Sequence, residues 1–195
     1  MLNLFKDQTI KKLKRAIEEG DTQTVSQTFK KLKQAEQAAL APELLSLAIT
    51  AAQPAALETL LSADISPNTT TEHGTPSLLL ALEQSDSLRL ITPLLQAGAN
   101  TQGLDLPLRC LEVCRDETLM MHLNRLQQHG VGLDAHSEAL FAHAAAKNNA
   151  ELIKFLVQSE VTMPSEWPAG TPETIIALAK RCEEDQRIQK LMLQR

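Results

Sequence analysis

The sequence predicts an all-α protein, a helical-repeat solenoid of about six helix-turn-helix units. Apolar residues recur every three or four positions along the 195-residue chain, and no apolar run alternates with polar residues. With four Phe, one Trp and no Tyr, the core must be built from Leu, Ile and Ala, which suits thin layers of paired helices. Apolar pairs of one spacing return after 34, 32 and 30 residues, namely Leu57/Leu60, Ile91/Leu94, Leu123/Leu126 and Ile153/Leu156.

The clearest unit runs from His73 to Asn100. Thr75 is predicted to cap its first helix, with Pro76 at the first helical position, where the missing N–H costs no hydrogen bond. The polar segment 84–87 then separates the two helices, and Gly98 is predicted to end the second.

The order of motifs in this unit is Thr-Pro, a first helix, a second helix ending in leucines, and Gly-Ala-Asn. The residues concerned are Thr75-Pro76, Ala81, Leu94-Leu95 and Gly98-Ala99-Asn100. This order resembles that of an ankyrin repeat. The Gly-Thr-Pro and Ala-Leu segments return 96 residues later, as Gly170-Thr171-Pro172 and Ala177-Leu178. That distance is three periods of 32, close to the ankyrin period of about 33 residues.

The resemblance implies one ankyrin-like domain over residues 1–195, with degenerate units before and after the clearest one. An N-terminal capping repeat is predicted at 8–34, where Gly20 ends one helix and Asp21 caps the next. Central repeats fill 43–164, and a C-terminal capping repeat occupies 165–195. A terminal repeat needs a polar outer side, because nothing stacks on it.

Charge and cysteine content limit the possible partners and compartment. The net charge is −5, and the first 33 residues carry eight Lys/Arg against four Asp/Glu. The acidic remainder disfavours nucleic acid as a ligand, and the basic first helix is interpreted as a solvated cap face. The N-terminus has no apolar run of about 7 residues for a signal peptide, so no membrane contact is expected. Three cysteines without disulfide-like spacing fit a reducing, cytoplasmic setting.

The resemblance implies a non-enzymatic scaffold that binds another protein through the concave face of the solenoid. No catalytic, cofactor-binding or metal-binding residue is expected, and we expect a monomer. Ankyrin-like units place their variable surface at turn tips and at the ends of first helices. These positions are Glu72, His73, Glu83, Gln84, Asp105, Arg115, His136, Lys147, Asn148 and Trp167. Trp167 is either an anchor for the partner or a cover for the core of the fifth unit.

Two other functions remain open from the sequence. Cys110 and Cys114 lie four apart on one helix, with His122 and His129 on the next, which suggests a metal-dependent sensor or enzyme. Cys-x3-Cys on a helix is a poor match to structural zinc sites, and the alternative is that both thiols pack between helices. The third possibility is a structural protein that self-assembles through the open ends of its solenoid.

Overall fold

A computed structural model describes residues 2–193, with side chains placed from Asp7 onward. The described chain is helical and contains no strand beyond one isolated bridge between Thr70 and Pro76. The prediction of an all-α protein is therefore confirmed. The chain divides into two compact units, one ending at Leu104 and the other beginning at Asp105. A single domain over the whole chain stays a prediction.

The first unit is built from helix pairs. Its helices are α1 (Leu2–Glu18), α2 (Thr22–Phe29), α3 (Gln34–Thr50), α4 (Pro54–Leu61), α5 (Ser77–Leu82) and α6 (Ser87–Gln96). The first members of the pairs, α1, α3 and α5, pack in one row, and α2, α4 and α6 pack in a second row against them. The core between the rows is mostly aliphatic, as the composition predicts, and includes Leu44, Leu45, Ile49, Leu57, Leu60, Leu90, Ile91 and Leu94.

The second unit contains two helix pairs and then a single long helix. Its helices are α7 (Leu106–Val113), α8 (Asp116–Gln128), α9 (Ser137–Ala146), α10 (Ala150–Gln158) and α11 (Glu173–Leu193), with a 3-10 turn at Asp134–His136. In this unit α7 packs on α8 and α9, α9 packs on α10, and α11 packs on α10.

The prediction of a helix pair in the last repeat is wrong, because α11 continues to Leu193 without a turn. Residues 173–193 contain no Gly, Pro or Asn, so nothing in the segment stops a helix that has begun. The Thr171-Pro172 match correctly indicates a helix start nearby. It carries no information about where that helix ends.

Similar turns recur along the chain. Gly20, Ala52 and Asn148, which separate the two helices of a pair, all have positive φ. A second set of positive-φ residues comes after second helices at intervals of 34, 32 and 30, namely Asp64, Gly98, Gly130 and Glu160. After each of these, the next amide donates to the carbonyl five residues earlier, as from Ala99 to Leu94 at 2.9 Å. These turns close the helix C-termini, and their intervals equal those predicted from the apolar pairs.

Two predicted helix boundaries are wrong. Helix α5 begins at Ser77 rather than at Pro76, because Pro76 is extended (φ −57°, ψ 141°) and bridges to Thr70. The central repeats are predicted to start at residue 43, yet α3 begins at Gln34. The amide of Lys33 donates to the Glu36 carboxylate at 3.1 Å. This contact belongs to a capping box, which marks the start of a new helix.

The predicted turn within the N-terminal helix pair is confirmed. Gly20 adopts φ 70° after α1, and the Asp21 carboxylate accepts the amide of Thr24 at 3.0 Å at the start of α2. Gln53 also reaches back to this turn and donates its side-chain amide to the carbonyl of Glu18 at 3.0 Å. The turn is thereby tied to the next helix pair of the same unit.

Candidate functional site

In the first unit, two predicted contact residues lie at the tip of a hairpin. The amide of Ser77 donates to the carbonyl of Thr69 at 3.0 Å, and Gly74 takes φ 79° to reverse the chain between them. A side chain at that φ would be strained, which is why glycine fits. Glu72 and His73 project from this tip and are exposed.

The other two predicted residues of the first unit come directly after α5. Glu83 is exposed at the C-terminal end of the helix. Gln84 is half-buried, and its side-chain amide donates to the carbonyl of Leu80 at 2.9 Å. The Gln84 side chain therefore caps the C-terminal end of α5, and the exposed Glu83 contributes the acidic side chain at this end of the helix.

In the second unit, two predicted contact residues face each other. Asp105 precedes α7 with a left-handed backbone (φ 45°), and its Oδ1 lies 3.6 Å from Nε2 of His136. His136 ends the 3-10 turn before α9 and is mostly covered, whereas Asp105 is exposed. The pair joins the start of α7 to the start of α9 and leaves carboxylate oxygen accessible to solvent.

A second polar group, the Asp116 cluster, consists of Asp116, His143 and Lys147. The Oδ1 atom of Asp116 lies 3.2 Å from Nε2 of His143, and its Oδ2 lies 3.2 Å from Nζ of Lys147. Hydrogen bonding to Lys147, then to His143, lowers the pKa of the Asp116 carboxyl from its ordinary value. Asp116 is also the first residue of α8, where the helix dipole favours a negative charge.

Sequence reasoning named Lys147 as a contact residue but did not include the other two members of the cluster, Asp116 and His143, in the surface. His143 and Lys147 are four residues apart around the end of α9, and this spacing puts them on one face of a helix. That spacing is visible in the sequence. The contact of these two residues with Asp116 depends on the packing of α9 beside α7 and beside the connection between α7 and α8. The sequence alone does not specify that packing.

Arg115 and Asn148 flank the Asp116 cluster along the chain. Arg115 is the exposed N-cap residue of α8, and its carbonyl accepts the amide of Leu119 at 2.9 Å. Asn148 is exposed in the turn between α9 and α10 with φ 49°, a conformation that asparagine tolerates better than most residues. Both side chains are accessible beside charged neighbours.

Trp167 packs on a core residue while part of its side chain stays exposed. Its ring meets that of the buried Phe141 edge-on, with centroids 5.7 Å apart and an interplanar angle of 79°. Trp167 is only half-buried, and it lines an open groove of about 550 Å³ together with Ala139 and Ala142 of α9. The ring thus covers a core residue, and its role as an anchor for a partner stays a prediction.

The cysteines of α7 form a thiol cluster, defined as Cys110, Cys114 and His122. Cys110 is buried in α7, and Cys114, the residue after the helix, is half-buried and hydrogen-bonds to Cys110 and His122. The hydrogen bond from Cys110, and also the His122 contact, lower the pKa of the Cys114 thiol to about 5 in spite of its burial. The same hydrogen bond, together with burial, raises the pKa of Cys110.

His122 completes the thiol cluster from α8. Its Nδ1 lies 2.8 Å from the carbonyl oxygen of Thr118, and the residue is 2% exposed. Burial acts to lower the pKa of His122, but the contacts with Cys114 and Thr118 outweigh it and the pKa is raised. His129 lies at the C-terminal end of α8. Within residues 2–193, no three His, Cys, Asp or Glu side chains are arranged to hold a metal ion.

No protein-family model, curated protein or solved structure matches this chain. The helices of residues 2–193 include none with the length and apolar character needed to cross a bilayer.

Proposed function

We propose that this chain is a non-enzymatic, ankyrin-like scaffold that binds a protein partner. The observation that carries the proposal is the recurrence of left-handed turns after second helices, at Asp64, Gly98, Gly130 and Glu160. The hairpin between Thr69 and Ser77, with its exposed tip, supports the proposal because such tips present variable side chains in repeat proteins.

The contact surface that we propose lies in the second unit. It combines the Asp105–His136 pair, the Asp116 cluster and the groove beside Trp167. Interfaces commonly surround an apolar anchor with a polar rim, and a few aromatic or charged residues dominate affinity. A partner that inserts an apolar side chain beside Trp167 and places hydrogen-bonding groups near Lys147 would fit this surface.

The test compares two lysines with similar surroundings. Lys147 lies 3.2 Å from Asp116, and Lys154 of α10 lies 2.8 Å from Glu151, so each pairs with one carboxylate. A partner is first captured by crosslinking to the wild-type chain in its source cells. Its affinity for Lys147→Glu and Lys154→Glu is then measured by calorimetry.

We expect Lys147→Glu to weaken binding about tenfold, equivalent to roughly 1.4 kcal/mol. Lys154→Glu makes the same change of charge as Lys147→Glu, but at a residue outside the proposed surface. It should therefore leave the affinity within about twofold of the wild-type value. Equal losses in both variants would contradict this placement of the surface. If the wild-type chain captures no protein, the scaffold proposal itself is contradicted.

A second candidate is self-association through α11. Leu191 and Met192 lie three and four residues after Ile188 on this helix, and Leu191 is 60% exposed. Exposed apolar stripes of this kind pair with other helices. Light scattering coupled to size-exclusion chromatography should then show a dimer that Leu191→Lys converts to a monomer. A wild-type monomer at high concentration would rule this candidate out.

A further inference from the structure

The thiol cluster lies at a tight corner between two helices. Only Cys114 and Arg115 separate the end of α7 at Val113 from the start of α8 at Asp116. The amide of Cys114 still donates to the carbonyl of Cys110 at 2.9 Å. That bond keeps the two Cα atoms one helical turn apart, about 6 Å. Disulfide-bonded residues have Cα atoms roughly 4.4 to 6.8 Å apart, so the Cα separation of these cysteines lies within that range, and their Cβ atoms, about 5 to 6 Å apart on a helix face, must move closer for the bond to form.

The orientation of His122 determines which of its nitrogens meets Cys114. The carbonyl oxygen of Thr118, 2.8 Å from Nδ1, can only accept a hydrogen bond. Nδ1 therefore carries a hydrogen and is occupied by Thr118, which leaves Nε2 as the ring nitrogen available for the interaction between His122 and Cys114. A proton moves easily between such a thiol and an imidazole, as in the thiolate–imidazolium pairs that make cysteines reactive.

We propose that Cys114 and Cys110 are a peroxide-sensitive dithiol that closes to a reversible disulfide. Cys114 is the attacking residue, because it is half-buried and in contact with His122. Cys110 is the resolving residue, because it is fully buried and one turn away. The co-reactant is hydrogen peroxide or an organic hydroperoxide. This inference does not depend on the proposed partner binding.

The first step oxidises Cys114. Its thiolate attacks the terminal oxygen of the hydroperoxide, an S–O bond forms and the O–O bond breaks. The leaving hydroxide or alkoxide takes the proton that His122 holds at Nε2, which gives water or an alcohol. The sulfur of Cys114 is now a neutral sulfenic acid, so its hydrogen bond and negative charge no longer raise the pKa of Cys110, and only burial still does.

The second step joins the two sulfurs. Cys110 attacks the sulfur of Cys114, an S–S bond forms and the S–O bond breaks. The departing hydroxide combines with the proton from Cys110 to give water. One hydroperoxide accepts two electrons from two thiols, and a later thiol reductant restores both cysteines. The bond needs the sulfurs to close from hydrogen-bond contact to about 2.05 Å, which requires a shift of the backbone where Cys114 follows the last residue of α7.

Trypsin offers a direct assay of this bond. Cleavage after Arg109 and Arg115 releases residues 110–115, which contain both cysteines, and cleavage after Arg181 puts Cys182 on a separate peptide. Purified full-length chain is treated with equimolar hydrogen peroxide, alkylated and digested. We expect peptide 110–115 to lose about 2 Da, resist alkylation and recover after reduction with dithiothreitol.

The role of His122 is tested by the pH dependence of alkylation. In wild type, the iodoacetamide rate at Cys114 should change less than about threefold between pH 6 and pH 8, because the thiolate is already formed. In His122→Gln, the rate at pH 6 should fall about tenfold while the circular dichroism spectrum is unchanged. Cys110→Ala provides an independent variant, in which a dimedone adduct should accumulate on Cys114 and no disulfide should form.

Four results would overturn the proposal. In the first, peptide 110–115 retains both free thiols after peroxide treatment. In the second, the oxidised product links either cysteine to Cys182. In the third, the alkylation rate of Cys114 rises about tenfold per pH unit through this range, as for an ordinary thiol. Near-stoichiometric zinc in the purified chain, released by peroxide, would also overturn it in favour of a metal site.

Discussion

The backbone amide of Asn100 donates to the side-chain Oδ1 of Asn68 at 2.7 Å, across 32 residues of chain. Each of these asparagines is followed by a threonine, so the two Asn-Thr segments occupy equivalent positions one repeat apart. In the second unit, the amide of Thr162 donates to Oδ1 of Asp134 at 2.7 Å across 28 residues. Side-chain oxygens thus fasten consecutive turns to one another within each unit.

Removing the side-chain oxygen of Asn68 should loosen this connection. We expect Asn68→Ala to lower the free energy of unfolding by about 1 kcal/mol, the usual contribution of one hydrogen bond. Urea denaturation measures the change. Asn124→Ala, on the exposed surface of α8, is the control and should stay within about 0.5 kcal/mol. Equal effects would mean that the Asn68–Asn100 bond adds no stability.

The core of the first unit is tested at Leu94. This side chain is fully buried between the two rows of helices, so Leu94→Ala removes apolar contacts and leaves a cavity. The expected cost is roughly 2 to 5 kcal/mol. Leu191→Ala deletes the same atoms from a 60% exposed position and should have little effect. An unchanged denaturation midpoint in Leu94→Ala would contradict the packing of α6.

The turn at Ala52 has a strained backbone, because alanine occupies a conformation that glycine adopts more easily. Ala52 takes φ 50° between α3 and α4, where the preceding pair of helices has Gly20 at φ 70°. A left-handed backbone costs a non-glycine residue roughly 1 to 2 kcal/mol, and the entropy that glycine adds to the unfolded chain offsets about 0.4 to 1 kcal/mol. Ala52→Gly should therefore stabilise the protein by about 0.5 kcal/mol. Calorimetry should show a higher melting temperature, and a lower one would mean that the turn is not strained.

The sequence predicts some of the turns that carry a glycine. Gly20 and Gly98 end helices as expected, because glycine adopts positive φ without a steric penalty. At Asp64 and Glu160 the same conformation occurs without that signal, because aspartate only tolerates a left-handed backbone and glutamate does not favour it. The unbroken helix α11 was missed because a Thr-Pro start does not determine how far the helix runs.

The candidate surface is predictable only position by position. The repeat register placed Asp105, His136 and Lys147 near turns, where they are found, but their partners come from packing. His143 and Asp116 lie 27 residues apart and meet only because α9 packs beside α7. By contrast, Cys110 and Cys114 are four residues apart, so helix geometry alone brings them together.

Trp167 should contribute to stability as well as to binding. Trp167→Ala removes an edge-on contact with Phe141 and is expected to lower the free energy of unfolding by about 1 kcal/mol. Trp167→Phe retains an aromatic ring and should recover most of that loss. Thermal denaturation of both variants provides the measurement. If Trp167→Ala melts like wild type, the ring serves the groove alone.

The Asp116 cluster predicts a pH dependence with a defined sign. Because Lys147, and then His143, lower the pKa of Asp116 in the folded state, the pairing stabilises the fold above the ordinary carboxyl value of 3.8. This contribution disappears as the pH falls through the lowered folded-state pKa. It should also weaken in concentrated salt, since the three side chains are partly exposed.

Replacing Lys147 isolates its share of that effect. In Lys147→Gln, an NMR titration of the Asp116 carboxyl carbon should show the pKa moving up toward 3.8, with His143 still holding part of the shift. Lys154→Gln removes the same charge from the neighbouring helix, where the lysine pairs with Glu151, and should leave the Asp116 titration unchanged. If both variants shift Asp116 equally, the general charge of the surface sets its pKa, and the Asp116–Lys147 contact does not order this part of the candidate surface.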